Sequence, residues 1–191
     1  MARVSREEKD RSRARIVGSA SKLLRERGVE GASVNDVMRD AGLTHGGFYR
    51  HFATKEAMVK GALDAAFEEI IGLVGSDVPN RSAADAARHF REFYLSDIHL
   101  QNAGRGCPAA ALAGEIARAP DATRARFGAG VRAMLIALAG LEQGDEGERQ
   151  VAATRELAML VGALALARAS DAGTADLILA ACRGPAPVAT Q

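Results

Sequence analysis

The chain lacks the features that define several large classes of protein. Its 191 residues include only two cysteines, Cys107 and Cys182, which excludes a disulfide framework and favours a reducing compartment. The N-terminus is charged and has no apolar stretch, so no signal peptide is expected. The longest apolar run, residues 157–167, has 11 residues, too few to span a bilayer. These absences predict a soluble, cytoplasmic protein with no membrane partner.

The common catalytic motifs are also missing. No G-x-S-x-G elbow, phosphate-binding loop or H-E-x-x-H pattern occurs. Residues 128–133 fit the dinucleotide pattern G-x-G-x-x-A, but they lie within a helical pattern that no strand precedes, so they do not predict such a site. The chain is therefore expected not to be an enzyme and to hold no cofactor.

Two other constellations carry little weight. His89, His99 and Cys107 fit no compact metal-binding spacing, so no metal is expected. The carboxylates of Glu92, Asp97 and Glu115 could pair for acid–base chemistry, yet carboxylates on helices are usually just solvated. These residues are expected to be ordinary surface or core groups, and the chain's chemistry has to be found elsewhere.

Charge is distributed unevenly along the chain, although the net charge is only +1. Residues 1–60 hold 13 Lys or Arg against 8 Asp or Glu, and residues 61–191 hold 12 against 16. A basic end on an acidic body is typical of nucleic-acid binding at one end. Residues 2–15 are expected to form a mobile arm running into a helix, which is either simply solvated or contacts phosphates and the minor groove.

Residues 33–55 carry the most specific pattern. From Val34 onward, apolar residues recur at i, i+3, i+4 and i+7, and Ser33 precedes them as an N-cap in a capping-box pattern. Gly42 is expected to end this helix, because glycine readily adopts the left-handed conformation of a tight turn. Thr44 then caps a second short helix with Phe48 on its inner side. Two short helices joined in this way predict a helix-turn-helix, whose second helix can enter a DNA major groove.

The exposed side of the second helix, residues 45–51, carries donors, acceptors, an aromatic ring and bare backbone, but no carboxylate. Gly46 and Gly47 near its start each cost about 1 kcal/mol relative to alanine. Close approach of the backbone to another surface would explain that cost. A flexible loop between two packed helices would explain it as well.

Residues 41–56 read AGLTHGGFYRHFATKE. This segment resembles the DNA-binding segment of TetR-family transcriptional regulators, whose pattern is similar to A-G-[hydrophobic]-[ST]-x-G-x-[hydrophobic]-Y-x-[HY]-F-x-[ST]-K-E. With the preceding helix, the resemblance covers about residues 10–60, and beyond them it is limited to length and helicity. It implies a homodimeric repressor that binds a near-palindromic operator and is released by a small-molecule inducer.

Nine residues are assigned to DNA, from their exposed positions and from the resemblance. The expected readers of base edges are His45, Gly46, Gly47 and Arg50, of which Arg50 can pair with O6 and N7 of guanine. The expected phosphate contacts are Ser33, Thr44, Tyr49, His51 and Lys55, with Tyr49 and Lys55 placed there by the resemblance.

The rest of the chain is predicted to be helical, which makes the fold class all-α. Further helices are expected at about residues 10–27, 54–75, 82–99, 108–118, 122–141, 148–169 and 174–182, with breaks at 78–80, 102–106 and 143–147. This predicts three parts: a three-helix DNA-binding head with a basic arm over residues 1–54, a ligand-binding and dimerisation body of about six helices over 55–184, and a disordered tail over 185–191.

Two apolar stripes late in the chain predict the dimer interface. Paired across a two-fold axis, their helices would form a four-helix bundle. Closing the monomer's own core is the alternative role for the same side chains. The stripes comprise Leu157, Leu160, Val161 and Leu164 on one helix, and Leu177, Ile178 and Ala181 on the next.

The helices between head and dimer stripes hold five of the eight aromatic residues. Aromatic and Met side chains around a few polar groups are typical of small-molecule pockets, so a largely apolar, neutral or weakly charged ligand is expected there. These residues could instead fill a core. The candidate ligand-binding residues are Phe67, Phe90, Phe93, Tyr94, His99, Cys107, Phe127, Met134 and Leu138.

Cys107 carries a second hypothesis, because it precedes Pro108 at an expected helix start. A helix N-terminus lowers a thiol pKa and would suit a redox or electrophile sensor. A buried, inert cysteine is the simpler interpretation, since only Arg105 lies close by in sequence.

The sequence therefore predicts a ligand-responsive transcriptional regulator. An all-helical enzyme or small-molecule carrier would explain the apolar body but not the helix-turn-helix. An architectural DNA-binding protein would explain the head but has no need of a cavity. Sequence-independent DNA binding would favour the architectural protein, and turnover of a bound compound would favour the enzyme.

Overall fold

The computed structural model describes residues 6–76 and 81–184, which form helices and connecting turns without a β-strand. The α-helices are α1 (Arg6–Gly31), α2 (Val34–Asp40), α3 (Lys55–Val74), α4 (Ala83–Tyr94), α5 (Asp97–Gln101), α6 (Pro108–Ile116), α7 (Asp121–Ala139), α8 (Glu146–Arg168) and α9 (Ala172–Arg183). Short 3-10 helices lie at His45–Arg50 and Ala103–Arg105. The predicted all-α fold is confirmed. The start of the predicted arm, the break at 78–80 and the tail at 185–191 lie outside the described residues.

The helix ends follow the local signals in the first part of the chain. Gly28 interrupts α1 with φ +76°, and Gly42 closes the turn after α2 with φ +65°. The Thr54 hydroxyl accepts a hydrogen bond from the amide of Ala57 at 3.1 Å and so caps α3. The helices start and stop where glycines and hydroxyl side chains satisfy the terminal backbone groups.

The single helix predicted over residues 82–99 is wrong, because the structure divides it into α4 and α5. α4 ends at Tyr94, and the Ser96 hydroxyl accepts a hydrogen bond from the amide of His99 at 3.3 Å. Ser96 therefore acts as an N-cap that starts a new helix. α1 also begins earlier than expected, at Arg6, so most of the predicted arm is helical.

The described residues group into two compact units. The first contains residues up to Ile70 together with Ala103–Ala133, and the second contains Ile71–Asn102 together with the residues from Met134 onward. This grouping differs from the division at residue 54 that the sequence suggested, because α6 and the part of α7 up to Ala133 pack in the same unit as the helix-turn-helix.

The first unit has a core to which α1, α2, α3 and the 3-10 helix at His45–Arg50 all contribute. α6 adds Leu112 and Ile116, which are 1% and 3% exposed. Arg25 is buried in this unit, donates to the carbonyl of Gly106 at 2.8 Å and pairs with Glu69 at 2.7 Å. The helix-turn-helix therefore shares one core with residues about 60 positions later in the chain.

The second unit is built on α8 and α9, with α4 and α5 packed against α8. Arg91 of α4 makes a two-pronged ion pair with Glu156 of α8, at 2.7 and 2.9 Å. Arg168 at the end of α8 donates to the carbonyl oxygens of Leu100 and His99, at 3.1 and 2.6 Å. Among the described helices, α8 is the one that is long and apolar enough, by length and composition, to cross a membrane.

Candidate nucleic-acid interface

The turn between α2 and the 3-10 helix at His45–Arg50 is held by side chains of α1. The Arg15 guanidinium donates to the carbonyl of Ala41 and, at 3.5 Å, to that of Gly42. Lys22 pairs with Asp40 at 3.2 Å. Because these contacts hold the end of α2 and the carbonyls of the turn that follows it, they set the direction in which the next helix leaves the turn.

The short 3-10 helix at His45–Arg50, called the recognition helix below, is anchored by aromatic side chains. Phe48 is 1% exposed and stacks on Phe52 with ring centroids 5.8 Å apart. The guanidinium of Arg13 lies 4.5 Å from the centre of the Phe52 ring, a cation–π distance. Tyr49 packs edge-on against Phe48 at 5.2 Å but remains 69% exposed. One face of the helix is therefore fixed in the core, and the opposite face is free to contact a partner.

The nine residues assigned to DNA all lie at the surface of this region, and none of them is buried. Gly47, His51 and Lys55 are half-buried. The exposed ones are Ser33, Thr44, His45, Gly46, Tyr49 and Arg50. The structure thus brings the predicted base readers together on one short helix, with the predicted phosphate contacts on that helix and at the starts of α2 and α3.

Neither glycine of the recognition helix is required by the fold. A Cβ atom at Gly46 would meet nothing within 4 Å, and one at Gly47 would have the Met38 side chain as its nearest neighbour, at 3.6 Å. Neither residue has a positive φ. Since alanine would fit at both positions, the reason for glycine lies outside the chain, and this favours close approach of the backbone to another surface.

His51 lies in a groove of about 560 Å³ beside the recognition helix. Burial lowers the pKa of His51 below its ordinary value of 6.5, and the positive charges of Lys9, Arg13 and Arg50 lower it further. Its Nδ1 atom is buried and has no hydrogen-bond partner in the part of the chain that the structure describes. These effects favour the neutral imidazole, whereas a nearby phosphate oxygen would give Nδ1 a hydrogen-bond partner and favour the charged form.

The phosphate role of Ser33 has a competitor within the chain. The Ser33 hydroxyl donates to the Asp36 carboxylate at 2.6 Å and accepts from the Asp36 amide at 3.1 Å. The hydrogen bond from Ser33 lowers the pKa of Asp36, with a further contribution from Arg39. Thr44 differs, because its side chain makes no capping bond at the start of the recognition helix.

Sequence reasoning missed two residues that position this surface. Arg15 was not singled out because its partners are backbone carbonyls that no motif records. Glu115 was considered only as a solvated carboxylate, whereas its two oxygens accept from the amides of Val29 and Glu30 at 2.9 and 3.0 Å. These bonds link α6 to the end of α1, next to α2.

Comparison with known proteins shows which family the N-terminal head resembles. A family model described as "Bacterial regulatory proteins, tetR family" matches residues 16–62, which contain α2, the turn, the recognition helix and the start of α3. Residues 16–62 are therefore similar to the tetR family. The resemblance inferred from residues 41–56 is thereby confirmed, and the model match covers nearly the same part of the chain.

Two curated relatives that match about a third of this chain are transcriptional regulators. The repressor KstR2 of Rhodococcus jostii is 33% identical over 78 residues, which are 39% of this chain and 38% of that protein. The regulator TtgR of Pseudomonas putida is 35% identical over 68 residues, 36% of this chain and 32% of that protein. The matches thus span about a third of each relative. The relatives are regulators rather than enzymes, as expected.

The fold extends beyond the head. A TetR-family transcriptional regulator from Cytophaga hutchinsonii aligns over 95% of both chains with a TM-score of 0.77 and 20% sequence identity. At that identity the likeness establishes the fold, a helix-turn-helix head followed by a helical body, and not the ligand.

The predicted ligand-binding residues are distributed over both compact units. Phe67, Cys107 and Phe127 belong to the first, where Phe67 packs edge-on against Phe127 at 5.4 Å and Cys107 is 0% exposed. Phe93 and Tyr94 of the second unit both contact the ring of His99, at 5.7 and 4.6 Å. Also in the second unit, and buried, are Phe90, Met134 and Leu138. A cavity of about 650 Å³ in the first unit involves none of these side chains.

The predicted dimer residues divide into buried and exposed sets. Leu157, Leu160 and Leu164 are 6%, 0% and 0% exposed within the single chain. These three side chains therefore pack in the chain's own core, which was the alternative to a place in the dimer interface. Val161 and Ile178 are half-buried, and Leu177 and Ala181 are exposed. An interface on α8 and α9 has to use the outward faces of those helices, where Leu166 and Leu177 are 59% and 70% exposed.

Proposed function

We propose that the chain is a cytoplasmic transcriptional repressor that binds a near-palindromic DNA operator as a homodimer. The recognition helix carries this proposal, because its inner residue Phe48 is fixed in the core while His45, Gly46 and Arg50 are exposed together. A single recognition helix buries too little surface to be specific, so two copies related by a two-fold axis grip successive major grooves.

Within this proposal, base readers and phosphate contacts have distinct roles. Arg50 pairs with guanine in the major groove, and the two glycines let the backbone approach the bases. Tyr49, Thr44 and Lys55 hold phosphates, and His51 gains a phosphate partner for its buried imidazole. Ser33 contributes least, because its hydroxyl already donates to Asp36.

The experiment is a binding assay on duplexes selected from a random pool, with one variant of each kind. Arg50→Ala is expected to relax the preference at one base pair and to weaken specific binding by about 5- to 100-fold. Lys55→Ala is expected to weaken binding to all sequences alike and to reduce the salt slope by about one unit. Arg124→Ala is the matched control, since Arg124 is exposed and pairs only locally with Asp121. Unchanged sequence preference in Arg50→Ala would remove Arg50 from the base readers.

The homodimer is proposed to form through the outward faces of α8 and α9. Leu166 and Leu177 are large apolar side chains exposed to solvent, and Ala158 and Gly162 on α8 would let a partner helix approach closely. Leu177→Arg tests this without touching the core, and sedimentation should show a monomer. A dimer that persists in both Leu177→Arg and Leu166→Arg would move the interface elsewhere.

The inducer is proposed to be a small, largely apolar molecule held at the aromatic wall formed by Phe90, Phe93 and Tyr94. The conformation described buries Phe90 and Tyr94, so ligand entry has to open this wall. A ligand that binds only a dimer conformation whose two DNA-binding heads are wrongly spaced for the operator shifts the population away from the DNA-binding state. A full switch from 1:99 to 99:1 requires about 5.5 kcal/mol of differential affinity.

Induction tests the aromatic wall directly. Phe93→Ala and Tyr94→Phe should bind operator DNA like the unmodified protein but release it at higher concentrations of inducer. Normal release by both variants, with unchanged affinity for the inducer, would exclude this wall from the pocket.

A further inference from the structure

The first unit contains a cavity that the proposed inducer site does not use. It has a volume of about 650 Å³ and lies where the end of α1, the start of α3 and residues 115–123 meet. Val59, Ile116, Ala119 and Pro120 supply its apolar lining. A volume of this size is within the range of small-molecule sites, which combine an apolar surface with a few polar groups.

Among the described residues, some of the charged side chains around this cavity already have hydrogen-bond or ion-pair partners, and others do not. Of the acidic ones, Glu115 already accepts two backbone amide bonds, and Glu56 pairs with Lys60 at 3.0 Å. Lys55 and Arg118 also line the cavity, and neither has an ion pair or a side-chain hydrogen bond within the described residues. Lys55 and Arg118 are therefore available to an incoming anion, against the three carboxylates of Glu30, Glu56 and Glu115 that also line the cavity.

A polar side chain deep in the same cavity is also available. Thr123 lines the cavity and is only 3% exposed. Its backbone amide bonds to the Pro120 carbonyl at 2.9 Å, while its hydroxyl makes no hydrogen bond in the part of the chain that the structure describes. A hydroxyl is both a donor and an acceptor, so this one can bond to a ligand oxygen.

We propose that this cavity binds an organic carboxylate with an apolar body. The carboxylate pairs with Lys55 and Arg118, charge-assisted contacts that an amine or a neutral amide would not make. The Thr123 hydroxyl donates to a ligand oxygen, and the apolar body of the ligand lies on Val59 and Ile116.

This site would be linked to DNA binding through Lys55, a step that rests on the proposed function. Lys55 cannot hold a ligand carboxylate and a DNA phosphate at the same time. The ligand should therefore weaken DNA binding, and DNA should weaken ligand binding by the same factor. The mechanism is direct competition at the edge of the interface and requires no movement of the aromatic wall.

Binding is first measured without DNA, so that its outcome does not depend on the proposed function. The probes are 4-phenylbutanoate, 4-phenylbutylamine and 4-phenylbutanamide, which share one apolar body and differ in charge. Calorimetry gives the affinities, and the methyl resonances of Val59 and Ile116 in the intact protein report the location. The expected result is saturable binding of the carboxylate, with both methyl groups shifted, and at least tenfold weaker binding of the amine and the amide.

Variants then test the individual contacts. Arg118→Gln should weaken carboxylate binding about tenfold, and Thr123→Val, which preserves the side-chain shape, should weaken it several-fold. Arg124→Gln, whose side chain does not line this cavity, should leave the affinity unchanged. Circular dichroism confirms that each variant is folded. Preferred binding of the amine, or an affinity that Arg118→Gln leaves unchanged, would overturn the proposal, as would binding that shifts neither methyl group.

A second measurement adds the selected operator duplex. 4-Phenylbutanoate should weaken DNA binding by the unmodified protein and have a much smaller effect on Arg118→Gln, which keeps Lys55 for phosphate. If the carboxylate binds but the DNA affinity does not change, the proposed linkage through Lys55 is wrong, whereas the proposed binding site is retained. If no duplex is bound at all, the proposed function fails independently of the ligand.

Discussion

Replacing Glu115 by alanine tests how far the helix-turn-helix depends on a carboxylate from α6. Gly28 breaks α1 with φ +76° and ψ 172°, and the chain then makes one further turn before α2. The Glu115 carboxylate accepts from the first two amides of that turn, at Val29 and Glu30. It therefore acts as an N-cap supplied by a distant helix, and alanine removes both bonds at once.

The expected loss follows from the surroundings of the two bonds. Hydrogen bonds to a charged acceptor contribute about 1.5–3 kcal/mol. The bond from Val29 is partly buried and should lie near the lower end of that range, whereas the exposed bond from Glu30 should contribute well under about 1 kcal/mol. The sum is about 2 kcal/mol. For a chain of this size that corresponds to a fall in Tm of roughly 4–8 °C.

Denaturant unfolding monitored by circular dichroism measures this change, and hydrogen exchange locates it. The amides of Val29 and Glu30 should exchange faster in Glu115→Ala, and Glu115→Gln, which keeps an oxygen acceptor, should lose about half as much stability. Glu92→Ala is the control, because Glu92 is exposed on α4. It should change stability by less than about 0.5 kcal/mol.

Gly28→Ala gives an independent check. A Cβ atom at Gly28 would lie 2.5 Å from Oε2 of Glu115, and the backbone conformation is one that only glycine adopts readily. The single substitution should cost about 1–3 kcal/mol. In the double variant with Glu115→Ala the losses should be less than additive, since the steric conflict is gone. Unchanged exchange at Val29 and Glu30 in Glu115→Ala would refute the capping role.

Three further predictions concern the same unit. Gly46→Ala should raise stability by about 0.5–1 kcal/mol, because alanine fits the open space at this position and favours a helix. The same substitution should weaken operator binding. Equal or tighter binding would show that no DNA surface approaches the backbone at Gly46. Because the pKa of His51 is lowered in the folded chain, the unfolded chain takes up a proton below pH 6.5 while the folded chain does not, and the free energy of unfolding decreases as the pH falls. Urea titrations at several pH values should show a smaller decrease in His51→Gln. An unchanged dependence of stability on pH would contradict this prediction. Leu112 is 1% exposed in the core of the first unit, so Leu112→Ala should lower the free energy of unfolding by about 2–5 kcal/mol and weaken operator binding as well. A loss of stability below about 1 kcal/mol would mean that α6 is not part of that core.

The sequence predicted the head well because its signals are local. Gly42 has the positive φ that a tight turn requires, Thr54 caps α3, and the apolar spacing from Val34 marks the buried face of α2. Each of these depends on residues within a few positions of one another. Such short-range preferences are visible in a sequence without knowledge of the tertiary structure.

The contacts that position the head were not predictable in the same way. Glu115 lies 86 positions from Val29, and Arg25 lies 81 positions from the Gly106 carbonyl that it contacts. Their partners are backbone groups, which leave no pattern in the sequence. Leu157, Leu160 and Leu164 illustrate a related difficulty, because an apolar stripe has the same spacing whether it faces its own core or a second copy. Ser96 is the N-cap of α5, a local signal that the prediction of one helix over residues 82–99 did not use.

Operator selection tests the central claim most directly. The unmodified protein is incubated with random duplexes, bound DNA is amplified over several rounds, and the affinity of the recovered sequence is measured at several salt concentrations. The account predicts a near-palindrome with half-sites about one helical turn apart, bound by two copies of the chain. A pool that shows no sequence preference after selection, or a recovered site without two-fold symmetry, would contradict it.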